Sequence, residues 1–393
     1  NVTLTTDAGN GVINMGTLQQ SAGDLILVTN GNGAATVVNN AGIDFGTSNV
    51  GGALSATASS GNITQNGGAL TVAGTSSFIL GANSANVVLD HASNAFSGAV
   101  TLLAGAGGSQ AFGNVTFVDD SAVKIDANAD AAGDLYLNAG TDGAVGGNLA
   151  VTATTGNITQ GVAVAVTGTS AFTTSATDAT ITLGTTTNAL GGTVAFTTAG
   201  TAGNVVIDNG TTGLDLAAST INGTLTATGG ASAGIVDSGN VAVAGNVTLT
   251  TDAGNGVINM GTLQQSAGDL ILVTNGNGAA TVVNNAGIDF GTSNVGGALN
   301  VTASAGTITQ NGGALTVAGT SAFTTSTNDQ AITLSSTSNA LTGAVAFTTG
   351  GTTGNVVIDN GTTGLDLAAS TISGTLTATG GASAGIVDSG NVA

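Results

Sequence analysis

The strongest constraint on this chain is an internal duplication. Residues 1–54 return unchanged as residues 246–299, and similarity continues beyond them, so segments 1–78 and 246–323 are near-duplicates. Segments 145–242 and 295–393 form a second near-duplicate pair that overlaps the first. Such self-similarity is typical of folds in which each unit buries its apolar face only by stacking on the next. We therefore expect one continuous repeat array over residues 1–393.

Shorter phrases recur inside these copies. Ile63-Thr64-Gln65 returns as Ile158-Thr159-Gln160, and the phrase that begins at Asn94 corresponds to the phrase that begins at Asn188. The segment 115–143 departs from this theme, because it has no close duplicate and holds six aspartates, the only lysine and the only tyrosine. We expect any local specialisation to lie there.

The composition favours strands over helices. Glutamate and arginine are absent and lysine occurs once, which removes the best surface helix formers, whereas Thr, Val and Asn are abundant. Runs of three to five residues alternate with period two between Gly, Asn, Asp and Ser, for example at 25–28, 70–72, 181–183 and 205–207. These patterns predict an all-β chain without helix, in which Ile181 and Val206 point inward.

A continuous solenoid explains this composition better than a string of sandwich domains. Every internal strand of a solenoid pairs on both sides, so proline would interrupt the ladder, and proline is absent. Few aromatic residues are present, which predicts thin core layers of Val, Ile, Leu, Ala and the methyl group of Thr. We predict a right-handed parallel β-solenoid (β-helix) of about 15 to 20 turns, at roughly 20 to 25 residues per turn.

The charge excludes several classes of partner. The chain has 21 acidic residues against one basic residue and a net charge of −20. Binding to nucleic acid is not expected, because no cationic surface exists to neutralise phosphates. Membrane insertion is not expected either, because no apolar run approaches the roughly 18 residues of a spanning helix.

Several phrases resemble the repeats of large bacterial surface proteins. They are Leu149-Ala150-Val151-Thr152-Ala153, Gly156-Asn157-Ile158-Thr159-Gln160, the run from Val166 to Phe172, and Asn188-Ala189-Leu190-Gly191-Gly192. They are similar to repeats of filamentous-haemagglutinin-like proteins. The resemblance implies a right-handed β-helix that is secreted or held on the bacterial cell surface, where it acts as an adhesin or as the shaft of a fibre. We expect an extracellular structural protein, with host or cell-surface glycans as candidate partners.

No residue is predicted to be catalytic. A β-helical enzyme that processes polysaccharides needs paired carboxylates at a defined separation. Asp119 and Asp120 are adjacent, so on a strand they face opposite sides, and His91 is a lone histidine between Asp90 and Ala92. Polysaccharide binding or processing is therefore the weaker of two alternatives to a structural role.

The other alternative is ice binding. Thr-x-Thr pairs such as 180–182, 224–226 and 375–377 are similar to the flat threonine arrays of ice-binding solenoids, although their spacing in the sequence is irregular. Thr is also simply favoured in strands.

One candidate metal site stands in the segment without a duplicate. Asp126, Asn128, Asp130 and Asp134 supply oxygen ligands at positions 1, 3, 5 and 9 of a calcium-loop spacing. The match is partial, because Ala131 replaces the usual glycine and Leu137 replaces the bidentate carboxylate. Calcium is the one cofactor the sequence predicts, and a solvated strand face is the competing interpretation.

The duplication also predicts a partner. Ala393 corresponds to Ala242, and only three residues separate Ala242 from Asn246, the counterpart of Asn1. We expect either flanking repeats of the same chain or identical copies that stack head to tail.

Overall fold

The computed structural model describes residues 1–105, 108, 110–139, 143–230, 233–252, 254–382 and 384–393. Two compact units divide the chain, unit 1 at residues 1–200 and unit 2 at residues 201–393. The described residues form strands and turns and no helix, and the parallel strands stack as a β-solenoid, which confirms the predicted fold class. The chain holds about 17 turns, within the predicted range. The right-handed sense of the coil and the continuity of the array stay predictions.

The strands of the two units are short, mostly of two to five residues. Unit 1 contains β1 (Val2–Thr5), β2 (Ile13–Leu18), β3 (Leu25–Val28), β4 (Ala35–Asn39), β5 (Ile43–Phe45), β6 (Ser48–Val50), β7 (Leu54–Ala58), β8 (Ile63–Gln65), β9 (Leu70–Val72), β10 (Ser76–Leu80), β11 (Val87–Leu89), β12 (Ala95–Phe96), β13 (Val100–Ala104), β14 (Val115–Asp119), β15 (Val123–Asp126), β16 (Asp134–Asn138), β17 (Ala144–Val145), β18 (Leu149–Ala153), β19 (Ile158–Gln160), β20 (Ala165–Val166), β21 (Ser170–Thr177), β22 (Ile181–Leu183), β23 (Ala189–Leu190) and β24 (Thr193–Ala199). Unit 2 contains β25 (Val205–Asp208), β26 (Leu214–Leu216), β27 (Ser219–Ile221), β28 (Leu225–Gly229), β29 (Ile235–Asp237), β30 (Val241–Val243), β31 (Val247–Thr251), β32 (Ile258–Gln265), β33 (Asp269–Val273), β34 (Ala280–Asn284), β35 (Ile288–Phe290), β36 (Ser293–Val295), β37 (Leu299–Ala303), β38 (Ile308–Gln310), β39 (Leu315–Val317), β40 (Ser321–Asn328), β41 (Ile332–Leu334), β42 (Ala340–Leu341), β43 (Val345–Gly350), β44 (Val356–Asp359), β45 (Leu365–Leu367), β46 (Leu376–Thr379) and β47 (Ile386–Asp388).

Most of the described strands pair in parallel with a strand one turn further along the chain. In unit 1 the ladder β4, β7, β10 and β13 sets Ala35 beside Leu54, Leu54 beside Ser76, and Ser76 beside Val100. In unit 2, β37, β40 and β43 set Leu299, Ser321 and Val345 side by side in the same way. Because side chains alternate across a strand, this register keeps inward residues above inward residues in every turn.

Exposed asparagines join the turns at one corner. The side-chain oxygen of Asn62 accepts a hydrogen bond from the backbone N–H of Asn86 at 2.9 Å, and the same contact runs from Asn86 to Asn114, from Asn114 to Asn148 and from Asn148 to Thr169, at 2.7 to 2.8 Å. Glycine precedes many such asparagines for a steric reason. A Cβ at Gly147 would lie 2.4 Å from Asn114 Oδ1. The recurring Gly-Asn phrase therefore satisfies backbone N–H groups that the strands leave unpaired.

The core is more aromatic than the composition predicts. All ten phenylalanines are fully buried. Their rings meet between successive turns, edge to face at 6.0 Å between Phe45 and Phe78 and stacked at 5.8 Å between Phe323 and Phe347. The expectation of purely aliphatic layers is wrong, because a rare residue type can still be concentrated entirely inside.

One of the two positions that were predicted to face inward is buried in the structure. Ile181 is fully buried, but Val206 is 37% exposed, while its neighbours Val205 and Ile207 are buried. The prediction for Val206 is therefore wrong. Period two fixes the alternation along a strand, and in a run of three apolar residues it leaves open which of them faces the core.

Candidate functional site

The segment 123–138 breaks the regular order of the strands. Strand β16 pairs with β13 through Val100 and Leu135, and with β15 through Ile125 and Leu135, so it lies between them. Strand β15 pairs on its other side with β19, where Ile125 lies beside Gln160. The chain thus adds a strand that begins only eight residues after the end of β15 and inserts it between β13 and β15. This place coincides with the predicted segment without a duplicate, of which Asp142 lies outside the described residues.

The four predicted calcium ligands lie around the loop that joins β15 to β16. Asp126 forms an ion pair with Lys124, and its Oδ1 accepts a hydrogen bond from Ala127 N at 2.7 Å. Asp134 Oδ2 accepts from Ala131 N at 2.7 Å and from Asp130 N at 3.2 Å, so this buried carboxylate closes the turn of the loop. Each of these two carboxylates therefore already has an ion-pair or hydrogen-bond partner within the protein.

The remaining predicted ligands contact each other. Asn128 Nδ2 donates to Asp130 Oδ2 at 3.2 Å on the exposed side of the loop. Within the described ranges, no three or more His, Cys, Asp or Glu side chains come together in a way that could hold a metal. Calcium binding by Asp126, Asn128, Asp130 and Asp134 stays a prediction.

The pair of Lys124 and Asp126 is coupled electrostatically. The hydrogen bond to Asp126 raises the pKa of the Lys124 ammonium, and the same contact with Lys124 lowers the pKa of the Asp126 carboxyl. The Lys124 side chain is 48% exposed and that of Asp126 is 14% exposed. The ion pair thus lies on the surface of the solenoid and is screened by solvent.

Asp119 and Asp120 face different environments, as their adjacency predicts. Asp119 is 1% exposed, whereas Asp120 is exposed. Burial raises the pKa of Asp119, although its Oδ1 accepts from Phe96 N at 2.9 Å and its Oδ2 accepts from Ser121 Oγ at 2.6 Å. The two carboxylates therefore do not form the acid and base pair of a glycosidase.

His91 takes part in a turn that recurs without histidine. Its backbone N–H donates to Gln65 Oε1 at 3.3 Å, and Thr185 and Ser336 make the same contact, at 3.2 Å, with Gln160 and Gln310. The imidazole Nδ1 accepts from Ser93 N at 3.1 Å. The position is thus structural.

These glutamines belong to an amide clamp, which the sequence analysis missed. Gln65 Nε2 donates to Asn94 Oδ1 at 2.6 Å, and Asn94 Nδ2 donates back to Gln65 Oε1 at 3.0 Å. The same reciprocal bonds join the two other pairs, Gln160 with Asn188 and Gln310 with Asn339. The recurrence of Ile-Thr-Gln and of Asn-Ala phrases was the available signal, because a buried amide needs partners for all its polar atoms.

Threonine side chains form columns on the outer face. Most of the predicted Thr-x-Thr pairs do not lie in these columns. Thr152, Thr173 and Thr197 stand in register on β18, β21 and β24, beside a column of Ala150, Ala171 and Ala195. Unit 2 repeats the threonine column with Thr302, Thr324 and Thr348. Small uncharged side chains therefore cover this face in both units.

The surface grooves differ in whether a carboxylate lies on the wall. One groove in unit 2 has a volume of about 510 Å³ and is lined by residues such as Ile221, Val243 and Gln264, with no titratable side chain on its wall. A smaller groove of about 370 Å³ in unit 1 holds one carboxylate, that of Asp44, to which Thr64 Oγ1 donates at 3.0 Å.

A family model described as repeats of unknown function (DUF5649) matches the chain four times, at residues 32–103, 112–197, 202–274 and 276–348. The chain belongs to this family. Three of its DUF5649 repeats are 72 or 73 residues long, and the one at 112–197, which contains the added strand, is 86 residues long. No curated protein and no solved structure matches the chain. The described part of this repeat protein holds no helix with the length and hydrophobicity that crossing a membrane requires.

Proposed function

We propose that this chain is a structural part of an extracellular bacterial fibre or adhesin, either as a shaft or as the subunit of a filament. The observation that carries the proposal is the amide clamp, which forms the same reciprocal bonds at Gln65, Gln160 and Gln310. Because the clamp recurs at three glutamines, we infer that it is a regular means by which one turn of the solenoid binds the next.

Three kinds of contact resist the separation of turns. Parallel backbone ladders satisfy the strands, the corner asparagines satisfy the N–H groups between them, and stacked phenylalanines fill the interior. A buried hydrogen bond contributes about 1 kcal/mol, and many such bonds acting together make local opening rare. A stiff spacer needs these properties and needs no catalytic residue.

The proposed setting is the bacterial cell surface or the secreted state, and the proposed partners are flanking repeats or identical copies that stack head to tail. The net charge of −20 favours solubility and repels anionic membranes and nucleic acid. Cysteine is absent, so the proposed stability outside the cell rests on hydrogen bonds and packing.

Electron microscopy of the purified chain tests the proposal. Each turn of a solenoid adds about 4.8 Å along its axis, so a shaft or filament subunit should appear as elongated particles or as filaments. Antibodies against the chain should label intact, unpermeabilised cells of the source bacterium. Flexible or globular particles, or labelling that requires permeabilised cells, would contradict the structural role on the surface.

Ice binding is a second candidate, favoured by the threonine columns. Thr152, Thr173 and Thr197 lie in register in three successive strands, which the sequence spacing did not reveal. Thermal hysteresis of the purified chain, compared with that of Thr173→Lys, decides between the candidates. The structural role predicts no hysteresis for either protein.

A further inference from the structure

The added strand brings together residue types that occur nowhere else on the surface of this chain. Tyr136 is the only tyrosine, Lys124 is the only lysine, and tryptophan is absent. All ten phenylalanines are fully buried, so Tyr136, which is half-buried, carries the one six-membered aromatic ring outside the core. Since tyrosine presents a flat apolar ring beside polar groups, it is enriched where proteins contact ligands.

These residues lie on one outward face. Thr101, Tyr136 and Asp126 stand side by side in register across β13, β16 and β15. Lys124 extends from β15 beside Asp126 and is 48% exposed. Gly161 follows β19 and packs against the ion pair, because a Cβ there would lie 2.5 Å from Asp126 Oδ1, so this position admits no side chain. The insertion surface is defined as Lys124, Asp126, Tyr136 and Gly161.

The repeat that carries the insertion surface is longer than the other three, which indicates that this surface is an addition to the common repeat. The DUF5649 repeats at 32–103, 202–274 and 276–348 form their turns with 72 or 73 residues, whereas the repeat at 112–197 uses 86. The extra residues are not needed to complete a turn, because β13 and β15 already belong to successive turns on either side of β16.

We propose that the insertion surface binds a neutral saccharide, a role that goes beyond the structural function proposed above. The apolar face of a sugar ring packs on the ring of Tyr136. Sugar hydroxyls both donate and accept hydrogen bonds, so they match a carboxylate and an ammonium that stand together. The Lys124 and Asp126 charges offset each other, and the net charge of −20 repels acidic glycans and nucleic acids.

Tyrosine fluorescence provides a reporter of this surface. Because the chain has one tyrosine and no tryptophan, excitation near 280 nm reports Tyr136 alone. A glycan array that carries neutral and sialylated oligosaccharides is probed first with the full chain. The neutral oligosaccharide that gives the strongest signal is then titrated while the tyrosine emission is followed, and calorimetry repeats the titration without a reporter.

The decisive variant is Tyr136→Thr, because Thr101 already occupies the neighbouring position of the same row and the strand should fold. Its affinity in calorimetry should fall about tenfold or more. Ser55→Thr, in the same outward row but two strands beyond β13, is the matched control and should bind as the wild type does. Thermal melting shows whether both variants are folded.

Three results would overturn the proposal. They are the absence of binding to every neutral glycan on the array, binding restricted to sialylated glycans, and equal affinity of Tyr136→Thr and the wild type. None of these results depends on particle shape or on surface labelling, so the structural role and the saccharide site can fail independently.

Discussion

Replacing Asp119 by Asn should stabilise the protein at neutral pH. Asp119 occupies a corner where other turns use a buried asparagine. In one of them, Asn360 Oδ1 accepts from Leu341 N at 2.8 Å and Asn360 Nδ2 donates to Leu341 O at 3.0 Å, so the amide binds both backbone groups of the residue one turn back. Asn39 and Asn284 do the same with Gln20 and Gln265. Asp119 makes only the acceptor half of this contact, with Phe96 N.

The direction and size of the effect follow from burial. Burial raises the pKa of Asp119 above its ordinary value of 3.8, so the ionised form is less stable in the folded protein than in the unfolded chain. The folded state then binds more protons, and stability falls as the pH rises from the unfolded pKa through the folded pKa. Asparagine removes this penalty and adds one hydrogen bond of about 1 kcal/mol to Phe96 O, while Ser121 Oγ, which loses Asp119 Oδ2 as an acceptor, keeps Ala122 O, for a total gain of about 1 to 2 kcal/mol at pH 7.

Thermal melting of the wild type and Asp119→Asn at pH 3 and pH 7 measures this gain. For a unit of 200 residues the melting temperature at pH 7 should rise by roughly 2 to 8 °C, with a smaller rise at pH 3. The matched reverse change, Asn360→Asp, should destabilise at pH 7, because it places a carboxyl where the amide donates two hydrogen bonds. A lower melting temperature of Asp119→Asn at pH 7, or an equal difference at both pH values, would refute the reasoning.

Three further changes test the core, an unpaired hydroxyl and the metal prediction. Ile181→Asp should cost several kcal/mol in urea denaturation because it buries an unpaired charge, whereas Val206→Asp should change stability by less than about 0.5 kcal/mol; equal effects would contradict the assigned faces. Ser321→Ala should stabilise by up to about 1 kcal/mol, because the buried Ser321 Oγ has no hydrogen-bond partner, and a loss of stability would imply a partner such as water. Calcium titrated calorimetrically into the wild type should give a heat that Asp130→Ala abolishes; the same negligible heat in both would leave only a solvated loop.

The fold class was predictable because its causes are local or repetitive. Period-two runs such as Leu25–Val28 and Leu70–Val72 appear as strands with the predicted bounds, and the absence of proline matches ladders that pair on both sides. The location of the irregular segment was also predictable, because a stretch without a duplicate cannot follow the pattern of the other turns.

Only the tertiary structure decided the relations between turns. The clamp of Gln310 and Asn339 joins residues 29 positions apart, β16 lies between β13 and β15, and Val206 faces outward. Each of these relations depends on the number of residues in the corners, because that number sets the register of one turn against the next. Periodicity fixes alternation within a strand, but this register arises only when the turns stack and their buried amides and aromatic rings find partners.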